Sequence, residues 1–447
     1  MRATPTNGEL LTVKKVYTME KKKLILIGAG MRGKSYTDTA FKMDGRFEVV
    51  AVAEPIDDRR NYIKKKHSLP DEMCFTTWEP LMAMEKFADA VVIATMDRDH
   101  FAPTMAAIEK GYEILLEKPI APTPEECIKI AEAANQKGVN VLVCHVLRYT
   151  PFFRLLKKTI EDGVIGTVYS IQHAEHVGNT HQSHSFVRGN WRNSEESSCM
   201  ILQKCCHDLD ILQWLLDKPC KRISSFGSLS YFIPENAPAD APERCTDGCP
   251  HADECYYNAI KLYYDDKKNG WFRTTSTKKV APTDEDVMEA LRTTDYGKCV
   301  FKCPNNVVDH QVVNMEFEGG ATVSMTMEAF TRNSRCSRFM GTKGEIIANM
   351  ADDHITILDF ATNTYREVKL ADAFAGDQTI NGGHGGGDPK ILDAFYDLLC
   401  GNETGNSVCN VSVACANHML AFAAEESRIS GKVIDIEEYV ENIKKGI

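Results

Sequence analysis

The stretch that decides the fold is residues 23–33, KLILIGAGMRG. It opens with a short apolar run, which is typical of a buried strand in a parallel sheet. A glycine-rich turn and a helical pattern follow, and this order is the setting that the pattern GxGxxG requires. Gly28 allows the tight turn, Gly30 lets the backbone approach a pyrophosphate, and Gly33 permits close packing of helix on strand. The stretch therefore predicts a dinucleotide site.

Apolar runs of the same kind recur further along the chain, with helical segments such as TPEECIKIAEAANQKG between them. Strands that are apolar throughout and alternate with amphipathic helices indicate a parallel sheet covered on both faces. We therefore predict a doubly wound domain over residues 22–146. The further strand patterns are FEVVAVAEP (47–55), ADAVVIAT (88–95), YEILLEKP (112–119) and VNVLVCHV (139–146).

Polar side chains follow several of these strands, at the sheet edge where ligands bind in open α/β folds. Glu54 ends the second strand, where a carboxylate favours NAD and repels the 2′-phosphate of NADP; the nearby pair Arg59-Arg60 leaves NADP as the less favoured choice. Lys118 precedes a proline, whose ring biases the lysine backbone toward an extended form. We expect Lys118 to supply a cation near nicotinamide and substrate. The predicted cofactor contacts are Gly28, Gly30, Met31, Arg32, Gly33, Glu54, Thr95, His100, Glu117 and Lys118.

The pattern changes after Pro151, so we assign residues 147–447 to a second, α+β domain with a large open, mostly antiparallel sheet. VVNMEFEGGATVSMTMEAF and SRFMGTKGEIIANM each predict a β-hairpin, because alternating apolar and polar residues flank a glycine-containing turn. Residues 234–306 show little periodicity and form an insertion. Residues 1–21 are expected to be a flexible leader.

The residues quoted so far resemble the Gfo/Idh/MocA family, which includes glucose-fructose oxidoreductase and inositol 2-dehydrogenase. The resemblance implies a Rossmann domain, an open-sheet substrate domain that often carries an oligomer interface, and oxidation of a sugar or polyol hydroxyl with NAD(P). It extends over nearly the whole chain from about residue 22. Its matching features are Gly28–Gly33, Glu117-Lys118-Pro119, Arg148-Tyr149-Thr150-Pro151, Ile165-Gly166, His207 and Gly341-Thr342-Lys343-Gly344-Glu345.

Members of this family use the lysine of the Glu-Lys-Pro motif together with an Asp-x-x-x-His pair, which implies catalytic roles for Lys118 and His207. Gln203 stands where the aspartate is expected, and a glutamine cannot accept a proton there. A histidine with an ordinary pKa of about 6.5 can take a hydroxyl proton at neutral pH. Lys204 precedes His207 by one helical turn, so we expect both on one helix face, with the ammonium acting on the imidazole or the substrate oxygen. The predicted substrate contacts are Arg148, Tyr149, Trp191 and His384.

Three functions fit these residues. The first is an NAD-dependent oxidoreductase acting on a hydroxyl of a sugar, a sugar derivative or a cyclitol. The second is a glycosidase in which bound NAD oxidises a ring hydroxyl transiently, elimination expels the aglycone, and reduction restores the sugar. The third is a sugar- and NAD-sensing regulator without turnover, which the presence of both Lys118 and His207 disfavours.

The chain contains 16 cysteines, five of which cluster in the insertion. Four thiolates around one tetrahedral ion can hold such a segment together. We predict a structural metal at Cys245, Cys249, Cys255 and Cys299, with zinc favoured over an iron–sulfur cluster. Cys303 and His251 are the alternative ligands. The alternative interpretation is a loop whose cysteines are reduced and bind no metal.

Charge and hydropathy exclude other partners. With 52 Lys+Arg against 63 Asp+Glu, the formal net charge is −11, and nucleic acid or an anionic membrane would require clustered basic residues. No apolar run approaches the roughly 20 residues of a membrane helix. We therefore expect a cytoplasmic homo-oligomer with a small-molecule substrate.

Overall fold

The computed structural model describes residues 20–43, 45–374, 385–405 and 407–447. Nearly all of the predicted leader (residues 1–21) lies outside these ranges, as does the predicted substrate contact His384. Among the described residues, no helix is long and apolar enough to cross a membrane.

The first domain is built on a parallel sheet of six strands in the order β3-β2-β1-β4-β5-β6. Its central strands are apolar throughout because both faces are covered: all four residues of Ala90–Ile93 are buried. The predicted doubly wound fold is confirmed. The strands are β1 Lys22–Ile27, β2 Phe47–Ala53, β3 Cys74–Phe75, β4 Ala90–Ile93, β5 Glu113–Leu116 and β6 Val141–Val143, and the helices are α1 Met31–Lys42, α2 Asp57–His67, α3 Glu79–Ala83, α4 Phe101–Glu109 and α5 Pro124–Lys137.

The second domain carries a nine-stranded sheet in the described part of the chain, in the order β14-β13-β12-β11-β7-β10-β9-β8-β15. Only β7 and β10 pair in parallel; the other neighbours are antiparallel. The strands are β7 Val168–His176, β8 Cys220–Ser228, β9 His310–Phe317, β10 Thr322–Glu328, β11 Ser334–Gly341, β12 Gly344–Asn349, β13 His354–Asp359, β14 Thr364–Lys369 and β15 Ile434–Asp435.

Both predicted hairpins are present in this sheet, as β9–β10 and β11–β12. The α-helices of this half of the chain are α6 Pro151–Glu161, α7 Asn179–Gln182, α8 Met200–Gln203, α9 Cys206–Leu216, α10 Gly270–Thr277, α11 Asp284–Thr293, α12 Leu370–Ala373, α13 Gly387–Leu399, α14 Val411–Ser430 and α15 Ile436–Gly446. Helices α10 and α11 belong to the insertion, which therefore contains regular structure that its weak periodicity did not predict.

C-terminal segments pack against the first domain, although the predicted domain boundary at residue 146 assigns them to the second. Helix α13 packs its buried side chains Ile391, Leu392 and Phe395 into the core formed by β1, β2 and β6. Just before α14, the carbonyl of Cys409 accepts a hydrogen bond from the Val143 amide at 3.0 Å. The C-terminal helices thus join the two domains.

A buried ion pair lies at this joint. The Arg148 guanidinium donates to both Asp210 carboxylate oxygens, from Nε at 2.8 Å and from Nη2 at 2.7 Å. Asn417 of α14 donates to the same carboxylate at 2.5 Å. Arg148 is 3% exposed and Tyr149 is 5% exposed, the latter in the core beneath α13. Arg148 is therefore held by Asp210, and Tyr149 packs in the core; the expected contact of both residues with substrate stays a prediction.

We predict that Arg148→Met lowers the free energy of unfolding by about 3–5 kcal/mol, because it leaves the Asp210 carboxylate buried without its cation. The matched control is Arg222→Met, which breaks the exposed Arg222–Glu316 pair and is expected to cost about 1 kcal/mol or less. Urea denaturation of both variants measures the difference. Equal losses would contradict the assigned role of Arg148.

Candidate active site

The three glycines of the loop after β1 have different surroundings. A Cβ on Gly33 would lie 2.0 Å from the Gly28 carbonyl oxygen. Gly28 has φ +88°, and a Cβ there would lie 2.6 Å from the Ala94 oxygen. On Gly30, by contrast, the nearest atom to a Cβ would be Arg59 Nη1, at 3.7 Å. Two glycines therefore permit close packing, while Gly30 faces open space.

That open space is a cavity of about 570 Å³, a size typical of small-molecule sites. Helix α1 starts at its edge with Gly30 as N-cap and no capping side chain, so its first backbone N–H groups are free to bind an anion. Four cations against two carboxylates line the cavity, which suits a diphosphate. These charged residues are Lys34, Lys42, Arg59 and Lys279, with Asp38 and Asp388. The cavity fits the pyrophosphate of NAD.

The insertion forms one wall of this cavity. Trp271 and Thr274 of α10 line it, and the Thr274 hydroxyl lies 3.5 Å from the Met31 sulfur in the glycine loop. Further along, the Val280 amide donates to the Asp58 carboxylate at 2.7 Å. We call residues 270–280 the insertion cover. It places a segment of the second domain against the nucleotide site of the first.

Arg32, predicted as a cofactor contact, makes a set of bonds that we call the Arg32 clasp. Its guanidinium donates to Glu117 at 2.7 Å, to both oxygens of Asp388 at 2.9 and 3.0 Å, and to the Tyr36 hydroxyl. Burial alone raises the pKa of Glu117, but the charges of Arg32 and Lys118 hold it below its usual range. Arg32 and Glu117 thus bind each other, and Glu117 in turn accepts from the Lys118 amide at 3.0 Å.

The other predicted cofactor residues on strand ends shape the loops around the cavity. Glu54 is 3% exposed and accepts from the Ala29 amide at 2.6 Å and the Ile56 amide at 2.9 Å, so its carboxylate braces the glycine loop. His100 is buried, with ring nitrogens 2.7 Å from the Pro119 carbonyl and 3.3 Å from the Thr95 carbonyl. These contacts connect the loops after β4 and β5.

Lys118 lies at the carboxyl end of β5, next to the helix pair α8–α9. Its ammonium donates to the Gln203 carbonyl at 2.9 Å. The Gln203 side chain turns away, donating to Ser197 and to the Ser198 carbonyl. Where the family pattern has an aspartate, this chain therefore presents a backbone oxygen to the lysine.

His207 lies in the first turn of α9 and is largely buried. Its ring meets that of His145 edge-on, with centroids 5.6 Å apart. Burial lowers the pKa of His145 to about 4. His207 thus has a neutral imidazole as its neighbour at pH 7.

Lys204 does not share a helix face with His207, because the helix breaks between α8 and α9. Its ammonium pairs instead with Glu175 at 3.1 Å, and Glu175 also pairs with Arg335 at 2.7 Å. Arg335 reaches Asp208 at 2.7 Å, and Asp208 lies 2.9 Å from the His173 ring. The charge of Lys204 thus belongs to a buried network, and its expected action on the imidazole stays a prediction.

Two aromatic side chains flank this region. Trp191, a predicted substrate contact, donates to Asp97 at 3.3 Å and so stands beside the loop that follows β4. Trp271 of the insertion cover meets His181 edge-on at 4.9 Å. Burial, together with the charge of Lys204, lowers the pKa of His181 well below its usual range. The neutral ring and the two tryptophans form apolar surface next to the cations.

Sequence reasoning missed several of these residues, because their partners are far away in the chain. For His173 and Glu175 on β7 and Arg335 on β11, polar residues within a strand pattern are the one signal in the sequence. The residues that were missed are Asp97, His173, Glu175, Asp208, Trp271 and Arg335.

The four predicted metal ligands come together. Cys245, Cys249, Cys255 and Cys299 line one small cavity within the insertion. Cys303 does not line it, and its thiol donates to the Cys299 carbonyl at 3.4 Å. His251 points to Asp240 instead, at 2.6 Å. The identity of a bound metal, and zinc in particular, stays a prediction.

Two family models match the chain. One is described as an oxidoreductase family with an NAD-binding Rossmann fold and covers residues 22–145; the other is the C-terminal alpha/beta domain of the same family and covers residues 157–405. The chain belongs to this oxidoreductase family. Its model names are those of the Gfo/Idh/MocA family that the motifs resemble, so that prediction is confirmed.

Relatives of the oxidoreductase differ in how much they share with it. The protein YteT of Bacillus subtilis (strain 168) is 27% identical over 416 residues, which is 86% of this chain and 92% of that protein. Inositol 2-dehydrogenase 4 of Saccharopolyspora erythraea is 28% identical over 44% of this chain and 55% of its own length, about half. The solved structure of levoglucosan dehydrogenase with NADH and L-sorbose is 18% identical, covers 94% of this chain and 99% of that chain, and has a TM-score of 0.69.

The glycine loop of the oxidoreductase yields a paired prediction. Gly30→Ala is expected to leave the unfolding midpoint unchanged and to weaken NAD binding about tenfold or more, because the added methyl enters the cavity. Gly33→Ala is expected to destabilise the fold by about 1–3 kcal/mol through overpacking against Gly28. Thermal unfolding and NAD titration calorimetry separate the two effects. Unaltered NAD affinity in a folded Gly30→Ala variant would contradict the placement of the nucleotide.

Proposed function

We propose that this chain is an NAD-dependent oxidoreductase that removes hydride from a hydroxyl-bearing carbon of a sugar, a sugar derivative or a cyclitol. Membership of the family and the inositol and levoglucosan dehydrogenases among its relatives support the substrate class. The observation that carries the proposal is the position of Lys118. Its backbone amide donates to Glu117 of the Arg32 clasp, and its ammonium donates to the carbonyl of Gln203, the last residue of α8. The next helix, α9, bears His207.

Alcohol oxidation requires a base for the hydroxyl proton and a donor that polarises the forming carbonyl. Bound NAD supplies the hydride acceptor. Lys118 uses one N–H on the Gln203 carbonyl; an ammonium has three donors, so it can also bind the substrate oxygen. This bond fixes the direction of the remaining two donors.

His207 takes the hydroxyl proton in this proposal. The neutral ring of His145 beside it adds no positive charge that would oppose a proton on His207. Lys204 acts as a positioning residue, because its ammonium pairs with Glu175 of β7, which also pairs with Arg335 of β11. Trp191 remains the proposed apolar contact for a sugar ring.

A second function is favoured by the insertion cover. A nucleotide site walled by the chain's own α10 slows the release of a bound cofactor, which suits an enzyme that oxidises and re-reduces the same substrate. A glycosidase that releases an aglycone without net NADH would work in this way. The cytoplasmic location and the homo-oligomeric state expected from the sequence stay predictions.

The first test separates the functions. Purified protein is incubated with NAD and a panel of sugars, cyclitols and aryl glycosides, while NADH absorbance and aglycone release are followed. Net NADH is the expected result. Aglycone release without net NADH would support the second function. Tight NAD binding without reaction of any compound in the panel would contradict both enzymatic functions and favour a sensor.

The second test concerns the catalytic pair. Lys118→Ala and His207→Ala are each expected to lower kcat by about 10²–10⁴-fold, because general acid–base groups contribute rate factors of that size. The affinity for NAD should change little in His207→Ala, whereas Lys118→Ala, at a predicted cofactor contact, should weaken it as well. The control is Lys158→Ala, an exposed lysine on α6, which should retain full turnover. Full turnover in either active-site variant would contradict the assignment of that residue.

A further inference from the structure

The thiol cavity in the insertion is built from segments that lie far apart in the sequence. Residues Arg244 and Lys298 form an antiparallel bridge, and the Cys299 amide donates to the Glu243 carbonyl at 2.9 Å. These bonds bring Cys299 to the loop that carries Cys245. The φ of +80° at Gly248 turns that loop so that the next cysteine, Cys249, also faces the cavity.

A buried cation faces the same cavity and marks it as an anion site. Arg188 is 1% exposed and lines the cavity. Its Nε donates to the Lys298 carbonyl at 2.9 Å, and its Nη2 donates to the Tyr257 carbonyl at 2.8 Å while lying 3.9 Å from the Cys245 sulfur. Its Nη1 has no hydrogen-bond partner. No carboxylate of the described residues pairs with it, and a buried charge without a counter-charge is costly.

We propose that Cys245, Cys249, Cys255 and Cys299 bind one metal centre as four thiolates, with Arg188 as the buried counter-charge. Four thiolates around a divalent ion leave two negative charges, which supply the anion that Arg188 lacks. Because all four coordination positions are taken by protein, the centre is closed and structural.

Four cysteine thiolates can bind either a zinc ion or a [4Fe–4S] cluster, and one observation favours each. The cavity is about 20 Å³, which suits a single ion such as zinc. However, no three of these sulfurs lie mutually within 4.8 Å among the residues that the structure describes, whereas a ZnS₄ tetrahedron with Zn–S bonds of about 2.3 Å has edges of about 3.8 Å. A [4Fe–4S] cluster also takes four cysteines and holds their sulfurs farther apart. The experiment therefore measures both.

The centre has a consequence for the nucleotide site, and this part rests on the proposed function. His184 accepts or donates a hydrogen bond with the Tyr263 hydroxyl at 2.9 Å and stacks on Phe272 of α10 at 4.0 Å. The cysteine loops precede and follow this docked segment. A metal that fastens them keeps the insertion cover against the glycine loop, so its loss should weaken NAD binding.

The test is metal analysis of the full-length protein, purified anaerobically, with plasma mass spectrometry for zinc and iron and an assay for acid-labile sulfide. About one zinc per chain, or about four irons with matching sulfide, supports the four-thiolate centre and identifies it. Protein isolated without metal is reconstituted separately with zinc and with iron plus sulfide. Failure to retain either metal would overturn the proposal.

Variants test the ligand set. Cys249→Ser and Cys299→Ser should lose most of the metal, while the matched control Cys303→Ser, whose thiol lies outside the cavity, should keep it. Circular dichroism reports whether each variant folds. Metal loss from Cys303→Ser with retention in Cys299→Ser would overturn the assigned ligands. NAD affinity is measured separately and is expected to fall about tenfold when the metal is lost. If the metal is lost and NAD affinity is unchanged, the four-thiolate centre stands, and only its proposed effect on the insertion cover is refuted.

Discussion

The Arg32 clasp is the interaction on which the rest of the site depends. Glu117 is buried at the end of β5, and a buried carboxylate requires a cation. Arg32 supplies that cation from the first turn of α1 and extends to Asp388 at the start of α13. One guanidinium therefore fixes the glycine loop, the strand end that carries Lys118 and the C-terminal helix. The nucleotide cavity and Lys118, the proposed catalytic lysine, keep their relative positions because both adjoin this ion pair.

The insertion adds a second constraint to this arrangement. It docks on the segment around His184 through stacked aromatic rings and closes one side of the nucleotide cavity with Trp271 and Thr274. A Rossmann domain alone leaves that side open to solvent. Because this wall comes from the second domain, cofactor retention and the position of the substrate domain are physically coupled.

The sequence predicted the parts of the molecule that depend on local patterns. The glycine loop, the parallel strands and both hairpins follow from short-range periodicity, and the spacing of the insertion cysteines indicated four residues that the fold brings to one cavity. Partners that lie far away in the chain could not be predicted. Nothing in the local sequence around Arg148 indicates its buried pair with Asp210. Likewise, nothing around Lys204 indicates its pair with Glu175 on β7. The partner of each charged side chain depends on residues that are distant in the sequence. A single sequence does not show which of these residues the fold brings together.

In the proposed function, hydride leaves a hydroxyl-bearing carbon of the substrate for NAD held at the glycine loop. This transfer is tested most directly with carbon-deuterated sugars and cyclitols, followed by mass spectrometry of the nicotinamide recovered from the enzyme. The expected result is deuterium on the nicotinamide after net oxidation and, for transient oxidation, on the reduced cofactor trapped by a rapid quench before the deuteride is returned to the sugar. Net oxidation of a deuterated substrate with no deuterium on the nicotinamide would contradict hydride transfer to NAD.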